Sequence, residues 1–347
     1  MMQRPIGPVA VFGASNFPLA FSSAGGDTAA ALAAGCPVVV KGHSAHPGTA
    51  DLVAQAIHAA VKSCGLNSGV FSQIQGGNRA VGQSLVQHPA IQAVGFTGSL
   101  GGGRALFDLC AARPEPIPFF GELGSINPMF ILDHALANRG AEIAAGWAGS
   151  LTMGAGQFCT NPGVAIVTAG SEADNFIRTT GEALATIGEQ TMLTTGIARA
   201  YHAGHDRFAA SAGVREVFTS TCDLRGASPY LFVTSGADWL ANKDLGEEVF
   251  GPLGLVVIVT DDAQRLAVAK SLGGQLTCTI HMDDLDNDGA RALLPVIERK
   301  AGRVLANGFP TGVEVCDAMV HGGPYPASTN FGASSVGTLS IRRFLRP

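Results

Sequence analysis

Short apolar runs rich in valine recur along the first hundred residues, and small-residue helical segments separate them. The runs predict strands at 8–12, 37–40, 70–74 and 91–94. The apolar spacing between them predicts helices that end near 34 or cover 49–61, 80–86 and 104–110. This alternation is typical of a parallel sheet covered on both faces by helices. We therefore predict a doubly wound, nucleotide-binding α/β fold for this half.

A second α/β pattern follows the proline-containing stretch at 113–116. It predicts strands near 117–120, 129–132, 250–259, 276–281 and 303–307, and a helix at 135–150. The 347 residues are enough for two domains, each with its own core.

Composition and charge exclude several classes of protein. No stretch reaches the ~18 uninterrupted apolar residues that a membrane span needs, and the first residues show no apolar signal-peptide region. We therefore expect a cytoplasmic protein with no membrane partner. The net charge of −5 and the lack of any lysine or arginine run argue against nucleic acid as a partner.

The cysteines and histidines do not predict a metal site or a disulfide framework. Seven cysteines is an odd number, and none forms a C-x-x-C pair. The pairs His43 with His46 and His202 with His205 lack a third ligand at suitable spacing, and neither pattern looks helical enough to aim both rings together. Three cysteines fit structural positions in or beside predicted elements: Cys36, Cys110 and Cys278.

Three other residues are candidates for chemistry. Cys159 lies on a glycine-rich loop, which can expose a nucleophile, although a lone cysteine is more often structural. Glu122 ends an apolar strand, where a desolvated carboxylate can act as a general base; a salt-bridged glutamate at a turn is the alternative. Asn16 follows a strand and could donate to an oxyanion, or merely support a turn before Pro18.

Seven motifs in one order together resemble the aldehyde dehydrogenase superfamily. They are Asn16-Phe17-Pro18, Lys41 at a strand end, Gly95 to Ser99, Glu122-Leu123-Gly124, Gly156 to Cys159, Glu247 to Pro252, and Asn307. The resemblance implies an aldehyde dehydrogenase-like α/β fold, with a partial Rossmann-type cofactor domain at 1–121 and a catalytic domain at 122–330. Residues 331–347 would be a return segment leading to a truncated oligomerisation strand.

The resemblance also implies a catalytic role for each candidate. Cys159 would attack the aldehyde, and the Asn16 amide with the Cys159 backbone N–H would hold the oxyanion. Glu122 would activate water to hydrolyse the thioester. His321 departs from the family, which usually has an apolar residue before the paired glycines; it would lower the pKa of Cys159 or carry its proton, or simply bond to backbone in a glycine turn.

The cofactor residues are implied in the same way. Glu248 would hold the nicotinamide ribose, Phe250 would pack near the ring, and Gly98, Ser99 and Gly103 would meet the pyrophosphate at a helix N-terminus. In NAD-preferring relatives a glutamate stands where this chain has Ser44. Lys41, Ser44 and Arg79 could instead bind a 2′-phosphate, so we expect NADP, with NAD as the alternative.

The particular residues in three of these stretches indicate which substrate is expected. The stretches around Asn16, Lys41 and His321 resemble 2-oxoglutarate semialdehyde (2,5-dioxopentanoate) dehydrogenases, with NADP-dependent fatty aldehyde dehydrogenases as close neighbours. The family's N-terminal part and C-terminal tail are expected to be absent here, and the full-length form is expected to be a homo-oligomer, a dimer or tetramer. Two other classes stay open: a cofactor-free cysteine thioesterase or esterase that uses Cys159 and His321, and an inactive, truncated binding subunit.

Overall fold

The computed structural model describes residues 2–312 and 314–347. They group into two compact units: 2–124 with 314–347, called unit 1, and 125–312, called unit 2. This grouping differs from the predicted domains at 122–124 and at 314–330, which belong to unit 1. The predicted domains divide the chain by function, and that division stays a prediction.

Unit 1 is built on a five-stranded, entirely parallel sheet with the order β4-β3-β2-β5-β6. Its elements are β1 Arg4–Pro5, β2 Val9–Phe12, α1 Gly26–Ala33, β3 Val38–Lys41, α2 Pro47–Ser63, β4 Phe71–Ile74, α3 Arg79–Gln87, β5 Ala93–Thr97, α4 Leu100–Ala111 and β6 Phe119–Glu122. Short 3-10 helices cover Ser68–Val70 and Thr338–Phe344. The predicted α/β fold with a parallel sheet is confirmed.

The central strand β2 shows why the apolar runs are continuous. Val9 and Val11 enter one core while Ala10 and Phe12 enter the core on the opposite face. Successive strand residues point to opposite faces, so a strand covered on both sides must be apolar at every position.

The first helix, predicted to end near 34, covers only Gly26–Ala33 and so does not follow β2 directly. Residues between Phe12 and Gly26 turn back on themselves instead: Ala14 N–H donates to Phe21 O at 2.7 Å, and Phe21 N–H donates to Phe17 O at 3.0 Å. Pro18 has no N–H to donate within a helix, which favours turns here.

The last residues of the chain belong to unit 1. Phe344 is fully buried in the core beneath α1. The final strand, Leu345–Arg346, pairs antiparallel with β1. The segment at 331–347, predicted to lead to an oligomerisation strand, therefore ends in a pairing within its own chain, and its role in an oligomer stays a prediction.

Unit 2 holds a seven-stranded sheet with the order β10-β12-β13-β8-β7-β14-β15, parallel except for the edge strand β10. Its elements are β7 Met129–Ile131, α5 Asp133–Thr152, β8 Val164–Thr168, α6 Ser171–Ala185, β9 Gln190–Thr191, α7 Thr195–Ala210, β10 Val214–Phe218, β11 Gly226–Ala227, β12 Tyr230–Ser235, α8 Gly236–Ala241, β13 Leu253–Val259, α9 Asp262–Ser271, β14 Gln275–His281, α10 Asn287–Ile297 and β15 Ala301–Ala306. Short 3-10 helices cover Met153–Gly156, Lys243–Gly246 and Asp284–Asp286.

The structure corrects one sequence prediction in unit 2. His202 and His205 both lie on α7, so the expectation that this pair is not helical was wrong. The apolar face of this helix, which includes Ala198, Tyr201 and Phe208, is buried and stabilises the helix.

Among the described residues, no helix is long and apolar enough to cross a membrane.

Candidate active site

The loop that carries Cys159 is shaped by three consecutive left-handed residues. After α5 ends at Thr152, the φ angles of Gly154, Ala155 and Gly156 are 58°, 57° and 65°. A Cβ on Gly156 would overlap the backbone of Gly251 and Pro252, so only glycine fits there. This sharp reversal ends the helix and leaves Cys159 half-buried on a loop, as a nucleophile requires.

A buried asparagine fixes the same loop. Asn127 is 0% exposed, and its Nδ2 donates to the carbonyl oxygens of Cys159 and Asn161, each at 2.9 Å. Its backbone N–H donates to Gln275 Oε1 at 3.1 Å, which ties the site to β14. Asn127 was not among the residues predicted from the sequence. Its one signal is an asparagine before a proline, three residues after the Glu-Leu-Gly motif.

The other cysteines that were assigned to structural positions differ from Cys159. Cys36, Cys110 and Cys278 are all buried. Burial raises the pKa of Cys110 to about 11 and that of Cys278 to about 12, so both remain neutral thiols near pH 7. A thiol that does not ionise is a poor nucleophile.

Within unit 2, the Cys159 loop shares a pocket with two of the predicted cofactor residues. Gly156 and Phe158 from the loop line this pocket together with Glu248 and Phe250. Glu248 is exposed and Phe250 is half-buried. Asn307, the last of the family motifs, instead braces the end of β14: it accepts from Met282 N–H at 2.8 Å and donates to Met282 O at 2.9 Å.

Within unit 1, Glu122 and His321 are brought together. Glu122 is the last residue of β6 and is 6% exposed. The Nε2 of His321 lies 3.1 Å from Glu122 Oε1, and Ser335 Oγ donates to Glu122 Oε2 at 2.8 Å. The ring of His321 therefore bonds to a carboxylate. Its predicted action on Cys159 stays a prediction.

Asn16 and the predicted pyrophosphate residues lie at the same edge of the unit 1 sheet as Glu122. Half-buried Asn16 follows β2, Gly98 and Ser99 follow β5, and Glu122 ends β6. These three strands are neighbours and parallel, so their carboxyl ends meet at one edge. Ligands of doubly wound folds bind at that edge.

The N-terminus of α4 is suited to an anionic group. Ser99 caps the helix by accepting from Gly102 N–H at 3.3 Å. Gly101 is exposed, and a Cβ placed there would meet no atom within 4 Å, so a ligand can approach the backbone. Gly103 is buried, and a Cβ there would overlap Leu123, so it allows the helix to pack closely on the sheet.

The three residues predicted to bind a 2′-phosphate lie at or after the ends of the adjacent strands β3 and β4; they are Lys41, Ser44 and Arg79. Lys41 ends β3, Ser44 is exposed in the next turn, and exposed Arg79 is the first residue of α3 after β4. Burial lowers the pKa of Lys41. His43 stacks on His46 with ring centroids 5.4 Å apart. Burial, His46 and Lys41 lower the pKa of His43 to about 4, so it is neutral near pH 7.

The chain is similar in sequence to known dehydrogenases. A model of the family described as "Aldehyde dehydrogenase family" matches residues 1–202. The chain is 53% identical to alpha-ketoglutaric semialdehyde dehydrogenase 2 of Azospirillum brasilense, and the match covers 99% of this chain and 66% of that protein. It is 50% identical to alpha-ketoglutaric semialdehyde dehydrogenase of Acinetobacter baylyi, with 99% and 65% covered. The chain thus spans just under two thirds of the length of these relatives.

Solved structures share the fold. Glyceraldehyde-3-phosphate dehydrogenase GapN of Methanocaldococcus jannaschii, complexed with NADP, gives a TM-score of 0.81 at 20% identity, covering 99% of this chain and 72% of that one. Aldehyde dehydrogenase C of Pseudomonas syringae, complexed with NAD+ and octanal, gives 0.80 at 22% identity, covering 99% and 69%. With a family match over more than half of its length, the chain belongs to the aldehyde dehydrogenase family.

Proposed function

We propose that the chain oxidises 2-oxoglutarate semialdehyde to its carboxylate with NADP, through a thioester on Cys159. The observation that supports this substrate is the sequence identity of 53% and 50% to two proteins named for this activity. The observation that supports the chemistry is the glycine-shaped loop, braced by Asn127, that holds Cys159 half-buried.

The residues of this chain would act in two half-reactions. In the first, the thiolate of Cys159 adds to the aldehyde carbon, and the Asn16 amide and the Cys159 backbone N–H stabilise the resulting oxyanion. When bound, the nicotinamide would accept the hydride lost from the former aldehyde carbon, which leaves the acyl group on Cys159 as a thioester. In the second half, a water oxygen adds to the thioester carbon, its proton passes to Glu122, and the C–S bond breaks with its electron pair returning to Cys159.

The residues present fit a dinucleotide. The open glycine at the start of α4 and the Ser99 cap suit a pyrophosphate, while Glu248 and Phe250 are the proposed contacts of the nicotinamide half. Lys41, Ser44 and Arg79 follow neighbouring strands and include two cations and no carboxylate, which favours the extra phosphate of NADP over NAD.

The test measures formation of reduced cofactor with a panel of aldehydes and with both cofactors. We expect the highest kcat/KM with 2-oxoglutarate semialdehyde and NADP. A higher kcat/KM with a long-chain aliphatic aldehyde would favour the fatty aldehyde alternative. Ester cleavage that needs no cofactor, with no oxidation of any aldehyde, would favour a cysteine hydrolase. A folded chain inactive in all these assays would favour a binding subunit.

We also propose that the protein acts as a homo-oligomer, as the family resemblance implies. Light scattering after size-exclusion chromatography tests this directly. A monomer mass at micromolar concentration would contradict it.

A further inference from the structure

Both oxygens of the Glu122 carboxylate have a polar partner from the segment at 321–335. His321 Nε2 lies 3.1 Å from Oε1, and Ser335 Oγ lies 2.8 Å from Oε2. All three groups are in unit 1. His321 is 3% exposed and Glu122 is 6% exposed, so water screens this contact little.

His321 and Ser335, the two partners of Glu122, are also hydrogen-bonded to each other through the backbone. Ser335 N–H donates to His321 O at 2.8 Å, and His321 N–H donates to Ser334 Oγ at 3.0 Å. The Ser335 hydroxyl has one proton, and Glu122 is a closer and charged acceptor than His321 O at 3.0 Å. We therefore assign the hydroxyl proton to the carboxylate.

The strand that carries Glu122 is held by the same part of the chain. Gly121 N–H donates to Thr329 Oγ1 at 2.9 Å, and Leu123 N–H donates to Ala327 O at 2.9 Å. The backbone of Glu122 is thus fixed on both sides, and His321 and Ser335 fix its side chain.

This arrangement has a chemical consequence for a base. Burial disfavours an ionised carboxylate unless donors satisfy it. An ionised carboxylate can only accept hydrogen bonds, so His321 donates its Nε2 proton and is the Nε2–H tautomer when neutral. A carboxylate oxygen can accept more than one hydrogen bond, so these donors do not prevent the carboxylate from receiving the proton of a water molecule.

We propose that His321 and Ser335 are positioning residues for Glu122, which they hold ionised and aimed for hydrolysis of the thioester. The inference rests on the proposed function, because it presumes that a Cys159 thioester forms. It differs from the expectation that His321 serves Cys159: a residue that serves Glu122 affects the second half-reaction, whereas one that activates the thiol affects the first.

The experiment separates the two half-reactions in the full chain with NADP and 2-oxoglutarate semialdehyde. The first is followed as a single-turnover burst of reduced cofactor in stopped flow. The second is followed by acid quench and intact mass spectrometry of the protein that carries the acyl group. Glu122→Gln is the reference variant, since it removes the base and should accumulate acyl-enzyme.

We expect His321→Ala to keep the burst rate of the wild type within about twofold, to accumulate acyl-enzyme as Glu122→Gln does, and to turn over about tenfold to hundredfold more slowly, in line with the loss of a hydrogen bond to a charged group. Ser335→Ala should act in the same direction. His321→Gln and Ser335→Thr, which keep a donor, should recover part of the loss.

The matched control is His281→Gln, because His281 is a histidine in unit 2 that is equally buried, at 2% exposed. It should change the burst and the hydrolysis rate by the same factor. If His321→Ala slows the burst as much as turnover, or accumulates no acyl-enzyme while Glu122→Gln does, the inference is wrong. If the wild type and Glu122→Gln both form no acyl-enzyme, the proposed function fails, and this inference fails with it.

Discussion

The side-chain amide of Asn127 donates a hydrogen bond of 2.9 Å to the carbonyl oxygen of Cys159. The Oδ1 of the same amide accepts from Thr277 Oγ1 at 3.0 Å. A wholly buried side chain on one strand connection therefore fixes the backbone of the residue proposed as nucleophile. The φ of Asn127, 45°, is left-handed, a conformation that asparagine tolerates better than most residues.

Asn127→Ala should lower the free energy of unfolding by about 3 kcal/mol, because it leaves buried carbonyls without donors. Asn127→Gly should lose about 1 kcal/mol less, since glycine adopts the left-handed angle without strain. Urea denaturation measures both. Asn138→Ala is the control: it loses an exposed bond to Asp283 and should cost about 0.5 kcal/mol or less. Equal losses for Asn127→Ala and Asn138→Ala would contradict the anchoring role.

Gly156→Ala should abolish most activity and lower stability, because the added Cβ would strike the backbone of Gly251 and Pro252 and shift the Cys159 loop. Gly149→Ala is a matched control a few residues earlier on α5. It is exposed, and a Cβ there meets nothing within 4 Å. This change should stabilise the helix by about 0.5–1 kcal/mol and leave activity unchanged. The two variants are compared by steady-state rate and thermal unfolding; a fully active Gly156→Ala enzyme would show that the loop geometry is not required.

The stability of the chain should fall in acid partly because of His281. Burial, and then the charge of Arg139, lower its pKa from 6.5 to about 4. Between these pH values the unfolded chain binds a proton that the folded chain does not, so stability decreases as the pH falls from about 6.5 to about 4. The full contribution is about 3 kcal/mol. His281→Gln should show a shallower decrease in the free energy of unfolding over this range, and identical slopes would refute the assignment.

Ser44→Glu should reduce kcat/KM for NADP at least tenfold and leave that for NAD unchanged or improved, because a carboxylate repels the 2′-phosphate. Arg79→Ala should reduce NADP use selectively as well. Arg178→Ala, an exposed arginine on α6 paired with Glu182, is the control and should change neither value. If kcat/KM for NADP and kcat/KM for NAD fall equally in Arg79→Ala, that residue does not bind the 2′-phosphate.

Much of the fold followed from local pattern. The strand at 8–12 was predictable because a strand buried on both faces must be apolar throughout, and the structure places it at Val9–Phe12. The start of α1 was not, because small residues between Phe12 and Gly26 fit a helix as well as turns. The motif resemblance singled out Cys159 and Glu122 as candidates, and their catalytic roles stay predictions.

The residues that support the site were harder to find. Ser335 lies 213 residues from Glu122 along the chain, in a stretch of small residues with no pattern of its own. His321 stood out by its type, but its partner could not be read from sequence, since the contact depends on how the segment at 321–335 packs beside β6. Non-local hydrogen bonds of this kind leave no periodic signal.

The proposed function depends on Cys159 as the residue that forms the bond to the aldehyde. The most direct measurement is the rate of reduced-cofactor formation from NADP and 2-oxoglutarate semialdehyde in Cys159→Ser, beside Cys222→Ser, which alters a second half-buried cysteine of unit 2. We predict that Cys159→Ser loses at least a thousandfold of the rate, by analogy with the removal of other nucleophiles, and that Cys222→Ser keeps it within about twofold. A Cys159→Ser enzyme that oxidises the aldehyde at the wild-type rate would show that Cys159 is not the nucleophile.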